Sequence, residues 1–216
     1  MLDPHLADLR KTYAQRTLSE ADVLPTAIPQ FRVWLEEAIQ AQLDEPTAMT
    51  VSTVDATGQP SARVVLLKGL PDDAAFLFYT NYDSRKGRDL AERPLAALTF
   101  FWPGLERQVR VEGRVEKAPD ALSTEYFQSR PRGSQIGAWA SPQSQIIGNR
   151  DELEAREHAV AADFADQNPL PRPPHWGGYL VRPHRLELWQ GRPSRLHDRI
   201  VYELEGDVWR LSRLAP

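Results

Sequence analysis

The chain has 216 residues, with 26 Lys and Arg against 30 Asp and Glu, and it contains no cysteine. A net charge of −4 argues against a chain-wide nucleic-acid footprint, and the lack of thiols excludes disulfides, thiolate metal sites and a cysteine nucleophile. Apolar content of 41% and charged content of 26% suit one globular domain that buries its core without staples. The absence of any run of about 18 apolar residues predicts no transmembrane helix. Met1 to His5 lack a basic and then an apolar region, so no signal peptide is expected. A cysteine-free chain fits a reducing cytoplasm.

Asp3 before Pro4 reads as a helix N-cap with proline at the first helical position, and Leu6, Leu9 and Tyr13 recur at helical spacing. A second helix is expected from Pro29, with Phe31, Trp34, Leu35, Ala38, Ile39 and Leu43 as its apolar face and Pro46 as its stop. The middle of the chain is strand-rich. Ala48 to Val54 and Ala62 to Leu67 flank the turn signal Asp55-Ala56-Thr57-Gly58 and should form a hairpin. Phe76 to Tyr79 is a third strand, and Ser84 to Glu92 a short helix stopped by Pro94. Leu95 to Trp102 and Gln108 to Glu116 are two strands joined by a Pro103-Gly104 turn.

Pro119 to Ala140 reads as helical with a break at Pro131, and Asp151 to Phe164 as a charged helix. Pro169 to Pro174 is a stiff connector with too few strands after it to mark a domain boundary. Tyr179 to Gln190 is expected as a strand pair bent at Pro183, and Ile200 to Leu211 as a second pair turning at Glu205-Gly206-Asp207. Strands so close in sequence, joined by short turns, favour an antiparallel sheet or barrel over βαβ winding. The predicted class is α+β, mainly antiparallel.

Three cationic clusters carry chemistry. In Arg63-Val64-Val65-Leu66-Leu67-Lys68, a period of two sends Arg63, Val65 and Leu67 one way and Val64, Leu66 and Lys68 the other. Such a strand either has wet ends or lines a flat apolar ligand with an anion at each end. In Ser84-Arg85-Lys86-Gly87, Ser84 caps a helix whose first turn holds two cations. The helix dipole prefers acids there, so the broken rule points to a bound anion, phosphate fitting best, over the alternative of two solvated cations on a surface helix. Tyr126, Arg130 and Ser134 fall at spacings of four, which would share one helix face were it not for Pro131. Taken alone, that pattern fits a core tyrosine with an exposed arginine and serine better than a ligand grip.

The run Ser194-Arg195-Leu196-His197-Asp198-Arg199 sets two guanidinium groups and an imidazole just after Trp189. Alone, the run fits a solvated loop with an internal Arg–Asp pair; beside the other basic clusters, planar cations next to a titratable ring suit an anionic ligand that needs a proton or hydride moved. Phosphate-loop, dinucleotide, serine-hydrolase and zinc-protease motifs are absent, and the five histidines lack a metal-ligand spacing. Of Trp102, Trp139, Trp176 and Trp189, only Trp189 is taken as a ligand contact; the others read as core.

Several motifs in this order resemble one family. They are Pro46-Thr47-Ala48-Met49, Arg63 to Lys68, Phe78-Tyr79-Thr80-Asn81, Ser84-Arg85-Lys86, Leu105 to Val109, Tyr126 to Arg132, Ser134 to Trp139, Gln143-Ser144, Trp176-Gly177-Gly178, Trp189-Gln190-Gly191 and Arg195 to Arg199. The chain from Leu9 to Pro216 looks like the pyridoxine/pyridoxamine 5′-phosphate oxidase family. That resemblance implies one FMN-binding split β-barrel domain over residues 1–216, surrounded by helices, with an N-terminal helical segment over 1–45 and strands over 170–216 completing a homodimer.

It implies FMN held between subunits by Arg63, Val64, Val65, Leu66, Leu67, Lys68, Tyr79, Thr80, Arg85, Lys86, Gln108, Gln143, Ser144, Trp189 and Arg199. It implies substrate contacts from Lys68, Tyr126, Arg130 and Ser134 to a phosphate, and from Arg195, Leu196 and His197 to the pyridine ring, Arg195 and His197 being catalytic. Arg10, Lys11, Thr12 and Tyr13 would form a lid segment. The implied reaction oxidises pyridoxine 5′-phosphate or pyridoxamine 5′-phosphate to pyridoxal 5′-phosphate with dioxygen, releasing hydrogen peroxide. A phenazine-type flavin oxidase, a non-catalytic flavin or pyridoxal-phosphate carrier and a purely structural dimeric barrel are the alternatives. The phosphate grip disfavours the first, the presence of Arg195 and His197 the second, and the third leaves the cations at the start of the Ser84 helix unexplained.

Overall fold

A computed structural model describes residues 13–216, so the expected helix from Asp3, and with it Arg10, Lys11 and Thr12, lies outside the described residues. The described residues form eight strands: β1 (Ala48–Val54), β2 (Pro60–Leu66), β3 (Phe76–Asn81), β4 (Leu95–Trp102), β5 (Arg107–Lys117), β6 (Trp176–Gln190), β7 (Asp198–Glu205) and β8 (Val208–Arg213). The α-helices are α1 (Ala27–Gln40), α2 (Arg85–Glu92), α3 (Asp120–Ser129), α4 (Arg132–Ala140) and α5 (Arg150–Asp163). Hydrogen bonds order the strands β2-β1-β4-β5-β6-β7-β8, with β3 on β6. The β3–β6, β6–β7 and β7–β8 pairs are antiparallel. The class is α+β, as the short turns predict. Among the described residues, no helix is long and apolar enough to cross a membrane.

The chain divides into two compact units. One holds the described part of Met1–Met49, together with Leu98–Glu112 and His184–Pro216. Its helix α1 starts at Ala27, two residues earlier than expected, because extended Thr26 serves as N-cap and Ala27 and Ile28 are buried. Phe31 enters an aromatic core with Phe100 and Trp102, the Phe31–Phe100 centroids lying 4.8 Å apart, and Trp34 is buried under the Arg107 guanidinium. Ile39 is exposed, contrary to its expected place on the apolar face, because the helix buries a narrower stripe ending at Ala38.

The other unit holds Thr50–Ala97 and Gly113–Pro183. The β1–β2 turn closes on the Asp55 carboxylate, which accepts from Thr57 N and Gln59 N at 2.9 and 3.0 Å. Two apolar clusters hold the unit together, one around Leu77 and Leu180 and one around Phe127, Ile136, Leu170 and Trp176. Register sets Tyr79 opposite Gly178, where an added Cβ would come within 3.0 Å of the tyrosine ring.

The strand reading near Pro183 is also corrected. Tyr179 to Gln190 is not a strand pair bent at Pro183 but part of the single 15-residue strand β6. Trp176 to Val181 pair with β3 and Arg185 to Gln190 pair with β7, so Pro183 falls between the two registers, where neither ladder needs its missing N–H.

Helix α2 sits close under the turn before it. A Cβ on Gly87 would lie 1.9 Å from the Tyr82 carbonyl oxygen, a backbone atom that cannot move aside. Gly87→Ala should therefore lower unfolding free energy by about 2 kcal/mol or more in urea titrations. A change within about 0.5 kcal/mol would contradict this packing.

Candidate functional site

Within the second unit, β2, β3, α2 and the α3–α4 break converge on a cavity of about 370 Å³, a volume typical of small-molecule sites. Adjoining it on Asn81, Arg130, Gln143 and Trp176 is a second recess of about 210 Å³ that also takes in Ser134.

One end of the cavity is built around Lys86. Ser84 caps α2 by accepting from Gly87 N at 3.3 Å and donates to the Asn81 carbonyl at 2.7 Å. The Lys86 side chain turns back into the cavity and donates to Thr80 Oγ1 at 2.9 Å, Ser84 Oγ at 3.2 Å and Gln143 Oε1 at 2.7 Å. All three acceptors are neutral. Among the described residues, no carboxylate pairs with Lys86. Burial first, and the Arg63 charge second, bring the ammonium pKa down to about 8.

Arg63 is fixed by Thr53 Oγ1 at 2.8 Å and Ser61 Oγ at 2.6 Å, with Asp89 4.0 Å away behind both hydroxyls. Burial lowers its pKa against the opposing pull of Asp89. Two cations thus share a cavity, and the carboxylate beside Arg63, Asp89, is already engaged by Thr53 at 2.6 Å. This donor set fits a phosphoester.

The other end is aromatic. Tyr126, Tyr79 and Trp176 lie nearly parallel, with the Tyr79–Tyr126 centroids 4.0 Å apart and Tyr79–Trp176 5.4 Å apart. Burial is the main cause that pushes the Tyr79 phenol up to about 12. The Arg130 guanidinium carbon lies 4.7 Å from the Trp176 ring centroid. Arg130 Nη1 is buried with no hydrogen-bond partner, the one such side-chain atom among the described residues. Burial lowers this guanidinium's pKa too. A buried, unpaired donor of a permanent cation requires an explanation, and an anion supplies it.

Of the expected cofactor residues, Arg63, Val64, Val65, Leu66, Lys68, Tyr79, Thr80, Lys86 and Gln143 line the first cavity, as do Tyr126 and Arg130. Leu67 is buried in the core instead, while Arg85 and Ser144 are exposed and absent from the lining. Trp176 and Asn81 line both recesses and were not anticipated. The Gly177-Gly178 pair after Trp176 was the available signal, since glycines in a strand mark close approach.

Gln108, Trp189, Arg195, Leu196, His197 and Arg199 lie in the first unit, as does Tyr13. There Tyr13, Trp189 and His197 form a ring cluster, with Trp189–His197 centroids 4.5 Å apart and Tyr13–Trp189 5.7 Å apart. Arg192 N donates to His197 Nδ1 at 3.1 Å, which places the neutral ring's proton on Nε2. Burial and then the Arg195 charge lower the His197 pKa, so the neutral ring prevails at pH 7. Ser194 and Arg195 both have positive φ, 57° and 63°. Consecutive left-handed non-glycine residues store strain of the kind that accumulates at functional sites. Arg199 Nε is tied to the buried Glu187 carboxylate at 2.8 Å, which Arg110 also approaches at 3.5 Å.

Residues 35–162 match the family described as pyridoxamine 5′-phosphate oxidase, and residues 176–216 match the pyridoxine 5′-phosphate oxidase C-terminal dimerisation region. A pyridoxine/pyridoxamine 5′-phosphate oxidase of Acaryochloris marina is 57% identical over all of this chain and 99% of its own length. The same-named protein of Cupriavidus necator is 59% identical over 98% of this chain and 99% of its own. Among solved structures, PhzG from Burkholderia lata 383, in complex with tetrahydrophenazine-1-carboxylic acid, superposes with a TM-score of 0.87 at 29% identity, covering 95% of this chain and all of that one. A pyridoxamine 5′-phosphate oxidase-related, FMN binding protein from Nostoc punctiforme superposes with a TM-score of 0.69 at 18% identity over 86% of this chain and 97% of its own, a likeness of fold. The fold is thus the split-barrel class expected from the sequence. The chain belongs to the pyridoxine/pyridoxamine 5′-phosphate oxidase family.

The Lys86 environment gives a signed pH dependence. An unfolded lysine holds its proton to about pH 10.5, whereas folded Lys86 releases it near 8. Between these values the unfolded chain binds more protons, so this residue's contribution makes the ligand-free protein more stable as pH rises from 8 to 10.5. The stability difference between wild type and Lys86→Met, measured by urea unfolding across that window, should shift in favour of wild type as pH rises. A flat difference would contradict a desolvated ammonium.

Proposed function

We propose that the chain is an FMN-dependent oxidase that converts pyridoxine 5′-phosphate and pyridoxamine 5′-phosphate to pyridoxal 5′-phosphate, with dioxygen as acceptor and hydrogen peroxide as by-product. The observation that carries the reading is the pair of anion seats, Lys86–Arg63 and Arg130–Ser134, on adjoining recesses flanked by a stacked aromatic wall. A cofactor phosphate and a substrate phosphate need two such seats. Identity of 57–59% along the whole chain to relatives of that name supports it, against 29% to PhzG.

In this reading Arg63 to Leu66, Lys68, Tyr79, Thr80, Arg85, Lys86, Gln143 and Ser144 hold FMN, joined by Gln108, Trp189 and Arg199. Bound FMN supplies the two-electron acceptor. Lys68, Tyr126, Arg130 and Ser134 seat the substrate phosphate, and Tyr13 belongs to the lid. Arg195 and Leu196 flank the pyridine ring. His197 offers it an Nε2–H donor, since Nδ1 is engaged by Arg192 N. The protein's work is positioning and electrostatics. A homodimer with FMN between subunits is part of the proposal, supported by the dimerisation-region match over 176–216. So is a cytoplasmic location, which a cysteine-free chain suits.

Purified protein should show a flavin absorbance spectrum and, under air with pyridoxamine 5′-phosphate, yield pyridoxal 5′-phosphate and peroxide. Flavin without turnover on either phosphorylated substrate would overturn the oxidase reading. Arg130→Ala should raise KM about 10- to 100-fold with kcat little changed, since a charged phosphate contact contributes about 1.5–3 kcal/mol of uniform binding. An unchanged KM would remove Arg130 from the phosphate seat.

A further inference from the structure

Arg130 reaches its recess because the chain breaks there, and the break has a dedicated fastener. α3 ends at Ser129, Arg130 adopts extended φ/ψ of −71° and 151°, and α4 begins at Arg132 after Pro131. A continuous helix would point Arg130 and Ser134 along one face; the break points both into the recess that Trp176 closes. Gln135 is buried one turn into α4, at 2% exposure. Its Nε2 donates to the Arg130 carbonyl at 2.8 Å and to the Gln128 carbonyl at 3.2 Å, two groups at the end of α3. Its Oε1 accepts from Leu170 N at 2.8 Å, which fixes the start of the Pro-rich connector leading to Trp176. One amide thus makes three bonds and joins the backbone of Arg130 to the segment that delivers the Trp176 ring beneath its guanidinium. The Arg130 side chain has no comparable anchor: Nη1 is unpartnered, and its ring contacts are Trp176 at 4.7 Å and Phe127 at 5.8 Å. The direction in which the guanidinium points is therefore set by its backbone.

We infer that Gln135 is a positioning residue for substrate phosphate: its side-chain amide holds the α3–α4 break so that Arg130 presents its unpaired donor to the ligand. Gln135 touches no ligand itself. The inference rests on the proposed oxidase function, and wild-type turnover serves as the control on that reading.

The test is steady-state kinetics of Gln135→Met, which keeps the volume and loses all three bonds. It is run beside Gln135→Glu, which keeps the acceptor for Leu170 N and loses the two donated bonds. Both are assayed as FMN-loaded full chains with pyridoxamine 5′-phosphate, and with inorganic phosphate as competitive probe. The expected result is KM and the phosphate inhibition constant raised together by about tenfold, with kcat within about twofold and FMN content equal to wild type. If Gln135→Met does not fold, Gln135→Glu carries the same expectation. Unchanged KM and phosphate inhibition, or a parallel fall of kcat, FMN content and thermal midpoint without a selective rise in KM, would overturn the inference. Absent turnover in wild type would instead overturn the oxidase reading.

Discussion

A buried ammonium without a carboxylate partner is the feature on which this architecture turns. Lys86 is held by three neutral oxygens and faces Arg63 across the same cavity. Bringing its pKa from 10.5 to about 8 corresponds to at most about 3 kcal/mol of disfavoured charging, less after solvent screening. A protein that sustains such a cost has built an anion site into its resting fold. The surrounding elements exist to hold it: Ser84 caps α2, Gly87 lets the helix close on Tyr82, and Gln143 arrives from the loop after α4.

Strand β3 divides the labour between the two ends of the cavity. Its side chains alternate, so Thr80 meets the Lys86 ammonium while Tyr79 enters the stack with Tyr126 and Trp176. This one-residue step separates a polar, cationic seat from an apolar wall on which a flat ring can lie. Arg130 then adds a second cation at the far side of that wall. Nothing in this arrangement requires a strong general base. It offers two cationic seats held apart at fixed geometry.

The order of elements was legible because turn chemistry and strand periodicity are local. The Asp55 turn, the Ser84 cap and the Pro131 break all fell where the residues placed them. Local reading failed where tertiary context decides. Arg85 and Lys86 looked equivalent at the start of α2, yet only Lys86 folds back over the helix end into the cavity. Tyr126, Arg130 and Ser134, separated by the Pro131 break, read as a core tyrosine with exposed arginine and serine; Arg130 instead lines both recesses, the first with Tyr126 and the second with Ser134. Pro183 looked like a bend between two strands, and it lies instead at the exchange of partners along one. Trp176 was read as core and is buried with Phe127, Ile136 and Leu170, but a lone tryptophan gives no hint that its ring also lines the cavity beneath a guanidinium.

The central claim is that the two cationic ends seat two separate phosphoesters. Phosphorus NMR of the purified protein with FMN and pyridoxal 5′-phosphate, followed across the pH range in which a free phosphomonoester gains its second charge, tests this most directly. The account predicts two distinct bound resonances, both held dianionic by flanking cations and both insensitive to pH across that range. A pyridoxal phosphate resonance that titrates like the free compound, or a single bound phosphorus, would contradict it.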